Sequence, residues 1–337
     1  MAKVEKSEEE DEFGLEEEEG EQFMAVKPWM GAIKEPTVPY YKGSGKAPNF
    51  DLSLEFAHGY RTKDCRNNLI YLSEDQIAYH TAALGVMMDI SKNPRQQTFF
   101  NMHADDIISM CWSSDKSSIF TGEMGAKPTI YQWNQEGEMV QRYRGAKKGV
   151  SAIGVNDKLM AAAGLDDNHY IYLFDIGSGK LLGSEKGGRD VIIDLKWVDD
   201  DNFVTIGVKH YKYWTVSGKT MKGKSGSFGK NCNILCCMAV KGSNIYVGAS
   251  NGELQKWTGN SVAKSLKVHS GAIHAISLTE NMILTGSSDH TISIISEGSL
   301  EKVNTIDCEN LLKGSMNKSI RAIDVFENKV LVGTLGS

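Results

Sequence analysis

Short apolar runs recur along the chain beyond residue 54, and within each run apolar and polar positions tend to alternate. "PTIYQWN", "HYIYLFD", "KHYKYWT" and "GELQKWT" carry an aromatic residue at a matching point, at Trp133, Phe174, Trp214 and Trp257. The steps between these residues are 41, 40 and 43, and "HTISIIS" places Ile295 at the same point 38 residues later. Runs of this kind, rich in Val, Ile, Tyr and Trp, predict short β-strands rather than helices.

Each of these strands is the third in a repeated unit of four. The strand before it ends in small residues, as in "MAAAGLDD", and the strand before that alternates, as in "IISMCWS". A fourth, more polar strand follows, as in "EMVQRYRG". Four strands in about 40 residues is the period of a WD40-type propeller blade. The sequence therefore predicts an all-β, WD40-like β-propeller of about seven four-stranded blades, of which the last is incomplete.

The predicted blades divide the chain at regular points. The units are 54–102, 103–145, 146–187, 188–230, 231–268 and 269–307, and "IRAIDVFENKVLVGTLGS" then supplies two more strands. A propeller hides its sheet edges by closing, so either an N-terminal strand completes the last blade or the sequence is a piece of a longer protein. We expect the second, with 103–337 holding the remaining blades and ending before a second propeller.

The chain before residue 54 has a different character. Residues 1–21 hold 11 acidic side chains and two lysines, which gives −9, so the rest carries +3 of the net −6. Charge at this density predicts a disordered acidic tail. Residues 22–53 contain four prolines and the large side chains Trp29, Tyr40 and Tyr41, which predicts an extended arm with possible partner-binding anchors. A flexible linker is the equal alternative for this segment.

Targeting and redox signals indicate the cytoplasm. No apolar segment follows a basic start at the N-terminus, and no apolar run approaches the roughly 20 residues that cross a bilayer. Six cysteines in 337 residues are too sparse for a disulfide scaffold. We therefore expect free thiols and no membrane partner.

No catalytic, cofactor-binding or metal-binding pattern stands out. The glycine-rich "GKSGSFGK" at 223–230 departs from the phosphate-loop spacing, and Cys232, Cys236 and Cys237 lack the paired spacing of a zinc site. "WVDDDN" lacks the regular ligand spacing of a calcium loop. We expect neither an enzyme nor a small-molecule substrate.

A loose group of lysines, called the lysine group below, is the main candidate contact surface in the chain beyond residue 54. It is too weak to indicate nucleic acid, and a solvated face is its ordinary role. Contact with an acidic protein surface is the functional alternative. Its members are Lys219, Lys222, Lys224 and Lys230.

Two blades keep parts of the polar lock that ties WD40 repeats together. His269, Thr285 and Asp289 have the types of the usual His, Ser/Thr and Asp, but Ile295 stands where Trp is expected. The other blade has the complementary set, without the Asp: His103, Thr121 and Trp133.

The segment "GYRTKDCRNNLIYLSEDQIAYHTAALGVMMDI" (59–90), followed by "HADDIISMCW", resembles the HELP motif and first blades of the echinoderm microtubule-associated protein-like family. The likeness implies that 54–102 combines the HELP motif with the first blade, and that the motif is structural. We expect its charged and amide groups to form a polar lock around a packed Cys65. The matching positions, called the HELP segment below, are Gly59, Tyr60, Arg61, Asp64, Cys65, Arg66, Asn67 and Asn68.

The resemblance also implies a function. It indicates a non-catalytic scaffold that binds tubulin or microtubules and other axonemal proteins, in the cytoskeleton of a cilium or flagellum. The tail would be repelled by the acidic surface of tubulin, so the arm or the propeller loops are the expected contacts. The alternative is a WD40 adaptor for soluble complexes in signalling or protein turnover.

Overall fold

The structure is a computed structural model and describes residues 51–228, 232–311 and 316–336. The chain separates into residues 1–53 and 54–337, and all described strands belong to the second unit. These residues form 26 strands, and within them no helix occurs. The strands make six four-stranded sheets and one two-stranded sheet, with antiparallel neighbours in chain order.

The strands are numbered along the chain, and the sheets in the same order. Sheets 1 and 2 comprise β1 (Leu69–Tyr71), β2 (Gln76–Thr81), β3 (Leu84–Asp89), β4 (Gln96–Phe100), β5 (Ile107–Trp112), β6 (Ser118–Glu123), β7 (Thr129–Asn134) and β8 (Met139–Arg144). Sheets 3 and 4 comprise β9 (Val150–Val155), β10 (Leu159–Gly164), β11 (Ile171–Asp175), β12 (Leu181–Glu185), β13 (Ile192–Trp197), β14 (Asn202–Gly207), β15 (His210–Ser217) and β16 (Thr220–Ser225).

Sheets 5 and 6 comprise β17 (Leu235–Lys241), β18 (Asn244–Ala249), β19 (Glu253–Thr258), β20 (Ser261–Lys267), β21 (Ile273–Leu278), β22 (Met282–Ser287), β23 (Thr291–Ser296) and β24 (Glu301–Asp307). Sheet 7 comprises β25 (Ile320–Phe326) and β26 (Lys329–Thr334).

Each four-stranded sheet runs from an inner strand facing the channel to an outer strand. The inner strand of sheet 3, β9, has no exposed residue, whereas the outer strand of sheet 6, β24, is exposed at six of seven positions. The first strand of each sheet packs beside the first strand of the next from sheet 2 to sheet 7, and β1 packs beside β25. The inner strands therefore surround a central channel.

Hydrophobic clusters join the sheets pairwise around this channel. One cluster packs Ile70 and Phe100 of sheet 1 against Trp133 of sheet 2, and similar clusters connect each later pair up to sheets 6 and 7. A further cluster places Ala322 of sheet 7 against Val86 and its neighbours in sheet 1. The ring is thus closed by apolar burial between its first and last sheets.

The repeated aromatic position lies on the third strand of its sheet. Trp133, Trp214 and Trp257 are fully buried on β7, β15 and β19, and Ile295 has the same place on β23. A Cβ added to Gly85 would lie 2.6 Å from the Trp133 ring, so only glycine allows this approach. Truncation of a buried Trp costs about 3–5 kcal/mol, which makes this position a main source of stability.

The predicted WD40-like propeller is confirmed in architecture. Six of the expected blades have four strands, and the seventh sheet has two. Among the described residues no third strand pairs with β26. The predicted acidic tail and residues 22–50 of the predicted arm lie outside the described residues. No helix in the described part has the length and apolarity to cross a bilayer.

Candidate functional site

The HELP segment begins at a turn that only glycine adopts easily. Gly59 has φ of 106°, and the next residues run as irregular chain against sheet 1. The Arg61 guanidinium binds Asp64 through two bonds of 2.8 and 2.7 Å and reaches Asp106 at 2.6 Å. These bonds to Arg61 hold the pKa of Asp64 below its usual range. Because Asp106 lies just before β5, Arg61 ties the segment to sheet 2.

Asn68 organises the buried side of the segment. Its Nδ2 donates to the Arg61 carbonyl at 2.6 Å and lies 3.2 Å from His80 Nε2, while Oδ1 accepts from the Tyr60 hydroxyl at 2.6 Å. Burial, followed by the charges of Arg61 and His103, lowers the pKa of His80 to about 3. His80 is therefore neutral near pH 7, and its Nε2 accepts the Asn68 amide proton.

Cys65 lies beneath these groups as a packed thiol. Its Sγ is 3.2 Å from the Ile108 carbonyl of β5, and the residue is 3% exposed. Burial raises the pKa of Cys65 to about 12, so the neutral thiol is the form present near pH 7.

The HELP segment and β1 also make the polar contacts that close the ring. The Thr62 hydroxyl donates to the Leu335 carbonyl at 2.9 Å, and Asn67 N–H donates to the Arg321 carbonyl at 3.3 Å. Tyr71 N–H donates to Asp324 at 2.8 Å. Asn67 has φ of 48°, a left-handed conformation that Asn tolerates better than most residues.

Sheet 2 contains a complete polar lock. The Trp133 indole donates to Thr121 Oγ1 at 2.9 Å, and Thr121 lies 2.8 Å from His103 Nε2. His103 Nδ1 is 2.9 Å from Glu123, which also accepts the backbone N–H of Thr129 at 2.8 Å. The relay is consistent when His103 carries its proton on Nδ1, because each donor then has an acceptor.

Sheet 6 contains the second lock. His269 Nε2 lies 2.8 Å from Thr285, and Nδ1 lies 3.2 Å from Asp289 and 2.9 Å from Thr291. Burial lowers the pKa of His269, although Asp289 opposes the shift. Ile295 is fully buried and brings no indole N–H to Thr285.

Sequence reasoning missed the carboxylate of the sheet 2 lock and a further lock in sheet 4. Glu123 takes the carboxylate position in sheet 2, where the sequence analysis found no Asp. In sheet 4, Thr205 accepts the Trp214 indole proton at 2.9 Å and lies 2.7 Å from His210 Nε2. His210 comes after its Thr in the chain, whereas His103 comes before. A search that allowed Glu for Asp, and His on either side of Thr, would have found both.

The predicted lysine group lies on the outside of sheet 4. Lys219, Lys222 and Lys224 are exposed on β16 and the turn before it, and no carboxylate in the described part pairs with them. The other predicted contact residues lie outside the described residues: Trp29, Tyr40, Tyr41 and Lys230.

The channel widens at the end where the inner strands finish. A cavity of about 400 Å³ is lined there by residues of all seven sheets, including Asn67, Trp112, Lys196, Trp197 and Asp324. Among the described residues, no group of three or more His, Cys, Asp or Glu side chains could hold a metal ion.

Two family models match the chain. The model described as "Echinoderm microtubule-associated protein first beta-propeller" matches residues 96–337, and the HELP motif model matches residues 47–86.

Two characterised proteins with related names are similar to this chain in sequence. Ciliary WD repeat-containing protein ctxp80 of Euplotoides octocarinatus is 31% identical, with 95% of this chain and 47% of that protein covered. The 77 kDa echinoderm microtubule-associated protein of Strongylocentrotus purpuratus is 27% identical, with coverage of 71% and 38%. The chain thus spans less than half the length of these relatives.

A solved structure shows the same fold. The WD40 β-propeller domain of Doa1 aligns with a TM-score of 0.65 at 16% identity, covering 81% of this chain and 91% of that one. Likeness at this identity concerns the fold alone. The propeller match over residues 96–337, preceded by the HELP motif, carries the assignment: this chain belongs to the echinoderm microtubule-associated protein family.

Proposed function

We propose that this chain is a non-catalytic β-propeller scaffold that associates with microtubules in the axoneme of a cilium or flagellum. The carrying observation is the match to a ciliary WD repeat protein over 95% of the chain, together with the match to the microtubule-associated family. Tubulin and other axonemal proteins are the proposed partners, and the cytoskeleton is the proposed location.

The polar clusters described above support a non-catalytic role. In the locks of sheets 2 and 6 the His, Thr and carboxylate groups bond to one another or to the backbone. The six cysteines are free and buried, and burial raises the pKa of Cys65 and Cys111 to about 12. Neutral, inaccessible thiols are poor nucleophiles.

The outer face of sheet 4 is the proposed contact surface for the microtubule. Lys219, Lys222 and Lys224 project from one exposed edge, and their charges are not neutralised by carboxylates in the described part. An acidic tubulin surface would attract such a group over about one Debye length, roughly 8 Å at physiological salt.

Co-sedimentation with polymerised tubulin tests the proposal. The intact chain should pellet with microtubules at low salt and less so at high salt. Combined Lys219→Glu, Lys222→Glu and Lys224→Glu should weaken binding at least tenfold. The matched control is Lys92→Glu, Lys127→Glu and Lys158→Glu, which changes the net charge equally at exposed positions on other sheets.

Two outcomes would count against the proposal. A chain that stays in the supernatant at low salt and is missing from isolated axonemes is not a microtubule scaffold. Equal loss of binding in both triple variants would mean that net charge, not the face of sheet 4, governs the contact. Affinity capture of a defined soluble complex without tubulin would instead support the adaptor function.

A further inference from the structure

The inner strands share an irregularity that aims one residue per sheet at the channel. In sheets 2 to 7 the pairing of the inner strand skips the second residue of that strand, which is a β-bulge. A bulge leaves one residue unpaired and redirects its side chain. The six bulge residues are Ile108, Ser151, Ile193, Cys236, His274 and Arg321.

Arg66 of the HELP segment supplies the corresponding side chain for sheet 1. It borders a small cavity that is also lined by the bulge residues Ile108, Ser151 and Ile193 and by two carboxylates, Asp64 and Asp194. Its chain neighbour Asn67 donates its N–H to the Arg321 carbonyl at 3.3 Å, and His274 has the same bulge position as Arg321 on the adjacent inner strand, β21. Burial, followed by the charge of Arg66, lowers the pKa of both His274 and Arg321. Three basic residues, Arg66, His274 and Arg321, therefore converge at one level of the channel, and we call them the basic cluster.

The basic cluster has nitrogens that the described protein atoms do not satisfy, and His274 Nδ1 is a donor in the tautomer that carries its proton there. Arg66 Nε, His274 Nδ1 and Arg321 Nε are buried and have no hydrogen-bond partner among the described residues. Leaving such a donor unpaired costs about 1–3 kcal/mol each, and more for a charged group. Three of them in one place indicate a site built for an acceptor.

The nearby carboxylates are already used. Asp194 accepts the backbone N–H groups of Leu195 and Met238, both at 2.9 Å. Asp64 is held by Arg61, and Asp324 accepts the N–H of Tyr71 at 2.8 Å. None of these three carboxylates forms an ion pair with a member of the basic cluster in the described part. An added anion would meet two guanidinium groups that form no ion pair in the described part.

We propose that the basic cluster binds a phosphate group, either as inorganic phosphate or as the phosphate of a small ester. Two guanidinium groups and one imidazole N–H match the several oxygens of a phosphate better than the two oxygens of a carboxylate. The organic part of an ester would extend along the channel from the basic cluster toward the cavity of about 400 Å³, whose lining includes Asn67, the chain neighbour of Arg66, but no member of the basic cluster.

Calorimetry and thermal unfolding of the intact chain test this site. Inorganic phosphate should bind saturably and raise the melting temperature, compared with chloride at equal ionic strength. Arg321→Gln and His274→Gln should each weaken phosphate binding about tenfold or more, because each removes one donor to an anion. The matched control is Arg189→Gln, an exposed arginine in the loop before β13, which should leave binding unchanged.

A second probe distinguishes free phosphate from a phosphate ester as the ligand. Ribose 5-phosphate that binds more tightly than inorganic phosphate would assign the site to a phosphate ester, and equal binding would assign it to the free ion. The absence of saturable binding by both probes would overturn the proposal.

A structural role for Arg321 has a different signature. If Arg321→Gln lowered the melting temperature in chloride buffer and left the phosphate affinity unchanged, the proposal would be wrong. A phosphate site predicts that Arg321→Gln raises the melting temperature in chloride, since the variant removes a partly buried positive charge near that of Arg66. The result would not depend on microtubule binding.

Discussion

In sheet 2 a chain of hydrogen bonds runs from Trp133 through Thr121 and His103 to Glu123, and each donor finds an acceptor inside one sheet. The residues of the basic cluster in the channel are only partly buried, but one buried nitrogen of each meets no acceptor among the described residues. The lock joins residues 12 to 20 positions apart, whereas the basic cluster joins sheets 1, 6 and 7. Polar groups within a blade can stabilise that blade, whereas the unpaired nitrogens of the basic cluster are available for a ligand.

The largest effect should come from breaking the lock of sheet 2. Thr121→Val keeps the shape of the side chain but leaves the Trp133 indole and the His103 ring without their shared partner. We expect a loss of about 3 kcal/mol in the free energy of unfolding, measured by urea denaturation. Thr285→Val in sheet 6 is the matched control. It should lose about 1–2 kcal/mol of unfolding free energy, because Ile295 has no side-chain N–H that the substitution would leave unpaired. Equal losses would contradict the relay described for sheet 2.

The next largest effect concerns the pH dependence of stability, which should distinguish His274 of the basic cluster from His269 of the sheet 6 lock. Burial, with Arg66 and Arg321, lowers the pKa of folded His274 to about 3, against about 6.5 in an unfolded chain. The folded chain therefore binds fewer protons than the unfolded chain between these values, and stability falls as the pH drops below 6.5.

The expected contribution of His274 is about 1 kcal/mol between pH 6.5 and 5, reduced from the full shift because the ring is partly exposed. His274→Gln should flatten the pH dependence of the urea midpoint over this range. His269→Gln should flatten it less, because Asp289 offsets part of the effect of burial on His269. If His269→Gln flattened the pH dependence more than His274→Gln did, this prediction would be wrong.

The smallest effects concern the HELP segment itself. Asp64→Asn weakens a paired but half-exposed carboxylate and should cost about 0.5–1 kcal/mol of unfolding free energy. Arg66→Gln, measured without phosphate, should change stability by less than about 0.5 kcal/mol or raise it, because Arg66 has no ion-pair partner within the described residues. Thermal unfolding of both variants checks this order. A larger loss for Arg66→Gln would show that Arg66 is paired in solution.

The repeat could be predicted because its signal is local. The steps between Trp133, Phe174, Trp214 and Trp257 follow from one buried position per sheet, and alternation along each strand follows from having a buried and an exposed face. The types of His269, Thr285 and Asp289 were enough to nominate a set of side chains that the structure places together.

The rest depended on geometry that the sequence does not display. Glu123 lies two residues after its Thr and Asp289 lies four residues after Thr285, yet both carboxylates reach the imidazole. A bulge shifts the strand alternation by one residue, so nothing in "IHAISLT" or "IRAIDVF" distinguishes His274 or Arg321 from an ordinary alternating position. Their meeting with Arg66 requires the closed ring.

The bond between Tyr71 and Asp324 joins residues 253 positions apart, and it has a consequence for synthesis. At about 5–20 residues per second, a ribosome needs roughly 13–50 s to make the chain between them. During that interval the edge of β1 has no neighbour from sheet 7, while later blades are already emerging. The arginines, lysine, aspartate and asparagines of 61–68 would keep this waiting segment hydrated and discourage wrong pairing. The polarity that closes the finished ring also protects the nascent chain before closure.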